Sequence, residues 1–382
     1  MTPLLTTLVF IAAQSGQSWS VATGEGTQVT QTLPSFDFGK LVAIRRADKP
    51  MPEWPTGPHV ILANDDRIAG KLVAADERFL TFENKILGKV RVPITSVAVI
   101  WRSPLPAGTP LDPMTSEWLG ERKTDAVRLS NGDVLRGTVE RFGEDTSVWL
   151  KQPTVATRKL DLDKTVAVGF SAGLSRVRIP KVPHASIVLS DGSRITIDAI
   201  VSKEGTLGIS SITGFPAYLP ETEMVAFTVL NGKATYLNEL KPKRIKSEPY
   251  LSMTWPHKLN RSSKGNPLRV DTKTGIQTFD RGLGTHAKTT LEYDLAGKYR
   301  RFEAVVGLDA TTSRKGRVPV RILVDGKPQM IEALNELRAE LGPIEISVEV
   351  SNAKSLTLVV DFGPEGDASS DVNWCEARLI KD

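Results

Sequence analysis

A short unit that occurs three times constrains the fold of this chain more than any other feature of its sequence. In each copy two apolar runs flank a turn. The copies are His59–Leu72, Ala126–Val139 and Ser186–Ala199, with turns at Asn64-Asp65, Asn131-Gly132 and Asp191-Gly192. Asn-Gly and Asp-Gly between apolar runs are typical of tight β-hairpins. Each copy therefore predicts a hairpin.

The spacing inside the copies shows that they are one duplicated unit. The interval from the first strand to the closing segment is 35, 36 and 35 residues in chain order, for Leu62 to Val97, Leu129 to Thr165 and Leu189 to Met224. A constant interval is typical of a structural repeat. Gly70 and Gly137 interrupt the second run, as a glycine does where a strand bends at a barrel corner. We predict three small SH3-like or Sm-like barrels, at 58–102, 125–171 and 184–230.

The last third of the chain has the pattern of an antiparallel sandwich. Apolar and polar residues alternate in three runs, around 318–324, 344–350 and 356–360. Alternation with a period of two indicates half-buried strands, and Asp325-Gly326 after the first run predicts a hairpin turn. Only Ile331–Leu341 has a helical pattern. The fold class predicted for the whole chain is all-β.

Five motifs in this third give it a family resemblance. They are Arg281–Ala287, Tyr293–Leu295, Phe302–Asp309, Val324–Gly326 and Asp371–Arg378. In this order and spacing they resemble the NPCBM family of carbohydrate-binding modules, over residues 236–382. The resemblance implies a galactose-binding-like β-sandwich, or jelly roll, that binds glycans.

The resemblance also implies where a sugar would bind. Gly282, Gly284, His286, Asp309 and Trp374 fall on the family's motif positions, whereas Val372 and Asn373 replace its more usual His and Asp types. The predicted carbohydrate-binding residues are Arg281, His286, Asp309, Asn373 and Trp374. Glycines permit close backbone approach, a flat ring covers the C–H face of a sugar, and amide or carboxylate groups bond its hydroxyls. The alternative is structural, with His286 and Trp374 belonging to the core.

The remaining segments are predicted to be a targeting signal and linkers. The apolar run Leu4–Ala13 precedes a polar stretch and predicts a signal peptide at 1–15, hence a secreted, periplasmic or cell-envelope protein. Residues 16–57 would form an extended lead-in and 103–124 a Pro-rich linker. No other stretch is long enough to span a bilayer, so no membrane span is expected after signal removal.

The sequence lacks the usual motifs of catalysis. Its four histidines are not at metal-ligand spacing, its single cysteine is Cys375, and no nucleophile elbow or phosphate loop occurs. We expect no enzyme activity and no cofactor, with Asp361–Asp371 as a candidate structural Ca²⁺ loop. Lys and Arg number 49 against 44 Asp and Glu, a balance that does not favour nucleic acid as a partner.

These observations leave three functional hypotheses. The first is an exported, non-catalytic protein that binds glycan or polysaccharide through its C-terminal sandwich, with the N-terminal barrels as spacers or interaction modules. The second is an envelope scaffold that binds envelope proteins and has no sugar affinity. The third is an accessory to, or remnant of, a glycoside hydrolase.

Overall fold

The computed structural model describes residues 17–103, 122–250, 255–273, 275–312 and 315–381. The predicted signal peptide and most of the predicted Pro-rich linker lie outside these ranges. Within them the protein consists of 34 strands, five short 3₁₀ turns and one α-helix of four residues. The all-β prediction is confirmed.

Nineteen strands precede residue 231. They are β1 (Trp19–Thr23), β2 (Gly26–Thr30), β3 (Leu41–Arg46), β4 (His59–Leu62), β5 (Arg67–Ala69), β6 (Lys71–Ala75), β7 (Phe79–Asn84), β8 (Gly88–Pro93), β9 (Val97–Trp101), β10 (Asp125–Leu129), β11 (Val134–Phe142), β12 (Val148–Gln152), β13 (Val155–Leu160), β14 (Thr165–Gly169), β15 (His184–Leu189), β16 (Arg194–Lys203), β17 (Thr206–Ser211), β18 (Pro216–Pro220) and β19 (Met224–Leu230).

The rest of the chain adds fifteen strands and the α-helix. They are β20 (Ala234–Tyr236), β21 (Arg244–Ser247), β22 (Lys258–Leu259), β23 (Leu268–Thr272), β24 (Gly275–Phe279), β25 (Gly282–Thr285), β26 (Thr289–Asp294), β27 (Tyr299–Leu308), β28 (Arg317–Val318), β29 (Val320–Val324), β30 (Lys327–Pro328), α1 (Glu332–Asn335), β31 (Leu337–Arg338), β32 (Ile344–Glu349), β33 (Ser355–Val360) and β34 (Val372–Lys381).

The three sequence copies share one pattern of strand pairing. The first strand of each pairs antiparallel with the second strand and with the closing strand: β4 with β5 and β9, β10 with β11 and β14, β15 with β16 and β19. In all three, the register with the closing strand shifts at the leucine that ends the first strand, at Leu62, Leu129 and Leu189. A 3₁₀ turn precedes each closing strand.

Glycine lies where the second strand changes partners. β5 pairs with β4, and after Gly70 the chain continues as β6, which pairs with β7. β11 pairs with β10 as far as Gly137 and with β12 beyond it. Gly70 has a φ of 140°, and the chain turns there from one sheet to the next because a residue without Cβ tolerates both this φ and the close backbone.

Gly70→Ala should destabilise the protein by about 2–4 kcal/mol. A methyl group at this position would stand 2.9 Å from the carbonyl carbon of Glu83 and closer still to its oxygen, so overpacking adds to the strain of the left-handed φ. Denaturant unfolding measures the loss. Gly57→Ala is the control, because nothing lies within 4 Å of the added atom. A stability equal to that of the parent would contradict the corner role of Gly70.

The copies are not isolated from one another in this structure. Strands from all three join edge to edge in one sheet that also includes β1–β3, while β6–β8 of the first copy form a separate sheet. Buried side chains from all three copies contribute to one apolar cluster. The organisation into three separate barrels therefore stays a prediction.

The C-terminal part is a β-sandwich, as predicted. One sheet has the order β22-β25-β34-β27-β32, with β20 also on β34, and the other has the order β21-β26-β33-β29-β30. Their facing side chains fill one core, and Trp374, Tyr293 and Phe302 are its largest fully buried members. The Asp325-Gly326 hairpin is confirmed, because β29 and β30 pair across it and both turn residues have positive φ.

The predicted helix over Ile331–Leu341 is wrong in its extent. Only α1 is helical, and β31 and a 3₁₀ turn follow it. β31 pairs with β28, so strand pairing replaces the helical hydrogen bonds that the periodicity suggested.

No helix in the described ranges is long and apolar enough to cross a membrane.

A buried ion-pair cluster joins the N-terminal sheet to the sandwich. Asp280 lies 2.7 Å from the Arg67 guanidinium and 3.3 Å from that of Arg194. Arg67 belongs to the first copy, Arg194 to the third and Asp280 to the sandwich. Burial alone would raise the pKa of Asp280, but the charges of Arg194 and Arg67 lower it below its usual range.

Candidate functional site

The two segments predicted to bind sugar are neighbours in the sandwich. β25 pairs antiparallel with the start of β34, so that Leu283 lies opposite Trp374 and Gly284 lies opposite Asn373. His286 and Asp371 flank these strands at the same end of the sheet. The structure thus brings the glycine segment and the tryptophan segment together.

Gly282 and Gly284 allow other backbone segments of the protein to pack closely against them. A methyl group on Gly282 would stand 3.0 Å from the Cα of Cys375, and one on Gly284 would stand 2.5 Å from the Cα of Ser262. The close backbone approach predicted here is therefore an approach of the protein's own strands and loops. These glycines leave no space for a ligand.

Three of the predicted contact residues lie inside the domain. Trp374 is 0% exposed and its Nε1 donates to Thr285 Oγ1 at 3.1 Å. Asn373 is also fully buried and donates to Asp309 Oδ2 at 2.8 Å. Asp309 in turn accepts hydrogen bonds from Thr311. Asn373 and Asp309 bond each other and Trp374 bonds Thr285, so this trio holds neighbouring segments in place and is buried from solvent.

Arg281 lies apart from this trio. Its guanidinium is 3.4 Å from the Glu239 carboxylate and 5.7 Å from the centre of the Tyr236 ring. The side chain is buried. Arg281 therefore connects the glycine strand to the start of the domain.

His286 belongs to a different group of side chains at the edge of the sandwich. Its ring stacks on that of half-buried Trp255, with centroids 5.2 Å apart and planes inclined by 26°. Its Nδ1 lies 2.8 Å from the Ala287 carbonyl oxygen, and its Nε2 lies 3.7 Å from Asp371 Oδ1. The stacking fixes the ring plane, and the carbonyl fixes the proton on Nδ1.

Asp371 organises the polar side of this group. It accepts a hydrogen bond from Ser263 and pairs at 2.7 Å with the Lys264 ammonium, whose side chain is 40% exposed. The carboxylate is therefore held beside a cation that reaches solvent. We call Trp255, Ser263, Lys264, His286 and Asp371 the rim cluster.

The rim cluster offers complementary hydrogen-bonding groups within a small area. Lys264 supplies donors on the exposed side of the group. The ring nitrogens of His286 and the carboxylate oxygens of Asp371 lie behind it, because these residues are only 5% and 2% exposed. Trp255 adds an aromatic ring with a polar edge. Such a set suits a ligand that carries both hydroxyl groups and C–H faces.

Sequence reasoning missed most of this cluster. It selected His286, and it placed Asp371 in the predicted site as a polar neighbour of Trp374, but it did not select Trp255, Ser263 or Lys264. Trp255 and Lys264 lie well before the glycine segment in the chain and have no motif of their own. Only the resemblance of Asp371 to the start of the tail motif offered a signal.

The structure shows no arrangement typical of a metal site or a reactive thiol in the parts of the chain that it describes. No group of three or more His, Cys, Asp or Glu side chains converges in those ranges. At the ends of the candidate Ca²⁺ loop, Asp361 pairs with Arg321 at 2.8 Å and Asp371 pairs with Lys264. Burial raises the pKa of the Cys375 thiol well above its usual range, which disfavours the thiolate.

Comparison with known proteins gives one matching family model and several partial likenesses. A protein of Renibacterium salmoninarum named "Putative endo-alpha-N-acetylgalactosaminidase" is 26% identical over 116 residues, which are 30% of this chain and 7% of that protein. The chain therefore spans a small fraction of this relative's length.

Two solved structures share low identity with the chain. CBM51 from Clostridium perfringens GH95, in complex with methyl-galactose, is 22% identical, with a TM-score of 0.35 over 38% of this chain and 99% of that one. The tandem CBM51 modules of Sp3GH98, the family 98 glycoside hydrolase from Streptococcus pneumoniae SP3-BS71, are 12% identical, with a TM-score of 0.35 over 82% and 88%.

The family match agrees with the region that carries the motifs. The model of the NPCBM/NEW2 domain matches residues 233–380, the range that begins just before β20 and ends in β34. Residues 233–380 of this chain thus form an NPCBM/NEW2 domain, a member of a carbohydrate-binding module family.

Proposed function

We propose that this protein binds glycans non-catalytically through the rim cluster of its NPCBM/NEW2 domain. The observation that carries the proposal is the stacking of Trp255 on His286 beside the Asp371 carboxylate. The family match supports the general task. Of the five residues predicted from the sequence, His286 alone belongs to this cluster, so the proposed contact set differs from the predicted one.

The geometry supports a hydroxylated ligand better than a charged one. Asp371 is already compensated by Lys264, so the cluster carries no large net charge to attract an ion. Donors and acceptors instead lie beside an aromatic ring, which matches the hydroxyl groups and C–H faces of a sugar.

Trp255→Ala should remove glycan binding at the rim cluster without unfolding the domain. Trp255 is half-buried and contributes its ring to the rim cluster. A glycan array identifies a binding sugar, and calorimetry with that sugar measures the loss. Trp149→Ala is the matched control, because Trp149 is also half-buried but lies in β12, outside the sandwich. Sugar affinity in Trp255→Ala equal to that of the Trp149→Ala control would contradict the proposal.

His286→Ala should weaken the binding of the same sugar by about 1–3 kcal/mol, which is the cost of losing one partner of a polar contact. The melting temperature separates the two roles of this residue. If the variant melts many degrees lower and sugar affinity was never measurable, the histidine is structural and binding at this site is refuted.

A second candidate function follows from the burial of the predicted residues. Asp309, Asn373 and Trp374 are enclosed, which favours an envelope scaffold whose sandwich contacts protein. In that case no sugar on the array would bind, and Trp255→Ala would change no sugar affinity.

We also propose that the protein is exported. The support is the apolar run Leu4–Ala13 followed by a polar stretch. Mass spectrometry of the native protein should find the first segment removed, near Ala13–Ser15. An intact Met1 in a cytoplasmic fraction would refute export.

A further inference from the structure

A cleft separates the N-terminal sheet from the outer face of the sandwich. It has a volume of about 740 Å³ and lies between β1–β3 on one side and β24, β27, β32 and β34 on the other. Small-molecule sites usually enclose about 300–1,000 Å³. The cleft is therefore large enough for one or two sugar residues, and it is separate from the rim cluster.

Contacts between its two walls hold the cleft open. The Arg45 guanidinium on β3 pairs with Glu376 on β34 and lies 5.8 Å from the centre of the Phe279 ring. The Gly24 carbonyl, at the turn between β1 and β2, accepts a hydrogen bond from Arg301 at 3.1 Å. Because both walls are tied to each other, the cleft is preformed.

Glu376 is the unusual residue of this cleft. It is buried, with 8% of its surface exposed. Its φ is 52°, which is unusual for a residue other than glycine. The ladder between β27 and β34 is irregular here: Glu303 lies opposite Arg378 and Val305 lies opposite Cys375, which leaves two β34 residues opposite Ala304. Such a bulge redirects a side chain, and residues in sparse φ regions cluster at ligand sites.

The Glu376 carboxylate keeps unused acceptor capacity. Arg45 contacts Oε1, and Arg378 Nη1 lies 4.0 Å from Oε2. Neither oxygen accepts a hydrogen bond of good geometry from the described residues. Both oxygens are closed to solvent in this structure, so a ligand hydroxyl reaches them only when the Arg45 or Arg378 side chain moves aside. Two adjacent hydroxyl groups would then supply one donor to each oxygen.

The other charges of the cleft disfavour an ionic ligand. Arg378 pairs with Glu303 at 2.8 Å. The described charged residues that line the cleft are four basic and three acidic ones: Arg45, Arg46, Lys49, Arg378, Glu303, Glu345 and Glu376. Their charges nearly cancel. Donors and acceptors side by side suit hydroxyl groups, which can donate to a carboxylate and accept from a guanidinium at once.

We propose that this cleft is a second glycan site, in which Glu376 accepts hydrogen bonds from two adjacent hydroxyl groups of a pyranose while Arg45 and Arg378 donate to the same hydroxyls. The site draws residues from both halves of the chain. It would give the protein two points of attachment to one polysaccharide or to two chains.

The test uses the full chain and a panel of methyl pyranosides, comprising the galactoside, glucoside, mannoside and fucoside, by saturation-transfer NMR and calorimetry. The Trp255→Ala protein isolates the cleft from the rim cluster. We expect it to bind at least one panel member, and to bind the matching deoxy sugar that lacks one of the two adjacent hydroxyls at least tenfold more weakly.

Two variants locate that binding. Ser347→Trp, at an exposed position that lines the cleft, should block it while leaving every ion pair in place, and Glu376→Gln should weaken it at least tenfold. Ser351→Trp, on an exposed turn outside the cleft, is the control and should bind as the parent does. Circular dichroism verifies that each variant is folded.

The proposal is overturned if no panel member binds the Trp255→Ala protein, or if Ser347→Trp binds as tightly as the Ser351→Trp control. The proposed function can fail separately. Binding by the parent that Trp255→Ala leaves unchanged and Ser347→Trp abolishes would refute the rim cluster and retain the cleft.

Discussion

Asp280→Ala should lower the free energy of unfolding by about 3–5 kcal/mol, the usual cost of removing one partner from a buried ion pair. Asp280 is 6% exposed and compensates both Arg67 and Arg194. Without it the buried Arg67 guanidinium would lose the carboxylate with which it pairs, while Arg194 would keep Asp65 and Asp66. Denaturant unfolding followed by tryptophan fluorescence measures the loss.

The number of transitions in the unfolding curve of Asp280→Ala is a second expected result. Because Asp280 links the sandwich to the N-terminal sheet, its loss should also separate a single transition into two. Asp198→Ala is the matched control: Asp198 is exposed on β16, the strand of Arg194, and the change should stay within about 0.5 kcal/mol. A loss below about 1 kcal/mol at Asp280, with one transition, would contradict the linking role.

Trp374→Ala should also destabilise the protein by about 3–5 kcal/mol, as large-to-small changes of aromatic core residues do. The side chain is fully buried in the sandwich core and bonds Thr285. Truncation leaves a cavity and removes one of the two hydrogen bonds made by the Thr285 hydroxyl. Thermal and denaturant unfolding are the measurements.

A control variant and a contrary result distinguish a core role of Trp374 from a binding role. Tyr218→Ala removes an aromatic ring that is 76% exposed and should cost little. If Trp374→Ala kept its stability but lost sugar affinity, the ring would be a stacking surface, contrary to its enclosure in the core.

The same contacts bear on where the sandwich can be cut from the chain. β20 pairs with β34 through Ala234–Tyr236, so a fragment that starts at residue 236 would lack most of this strand. The ion pairs of Asp280 and Arg45 with the other half of the protein would also be lost. Binding experiments therefore belong on the full chain, since the cleft has walls from both halves.

Local pattern was enough to predict the strands. Asn131-Gly132 and Asp191-Gly192 specify hairpins because glycine accepts a positive φ, and the structure has β10–β11 and β15–β16 around them. Apolar alternation gave the strand positions of the sandwich for the same local reason. The helical pattern of Ile331–Leu341 failed because β31 pairs with β28, a contact that local periodicity does not encode.

The candidate site was recoverable only in part. Motif position placed Trp374 and His286 in the same region, and they are close in the structure. The motif could not say which side chain faces the core, because strand register across β25 and β34 decides that. Trp255 and Lys264 reach His286 and Asp371 from another loop, without any sequence signal.

By itself the sequence determined the all-β class, the three related hairpin units and the region of the carbohydrate-binding domain, because turn chemistry, alternation and motif spacing are local properties. Only the tertiary structure decided that Trp374 and Asn373 are buried, that Asp280 joins the two halves, and that Glu376 lines a cleft between them. Those facts depend on contacts between residues about a hundred to more than three hundred positions apart in the chain, which side-chain burial and charge pairing select when the sheets pack.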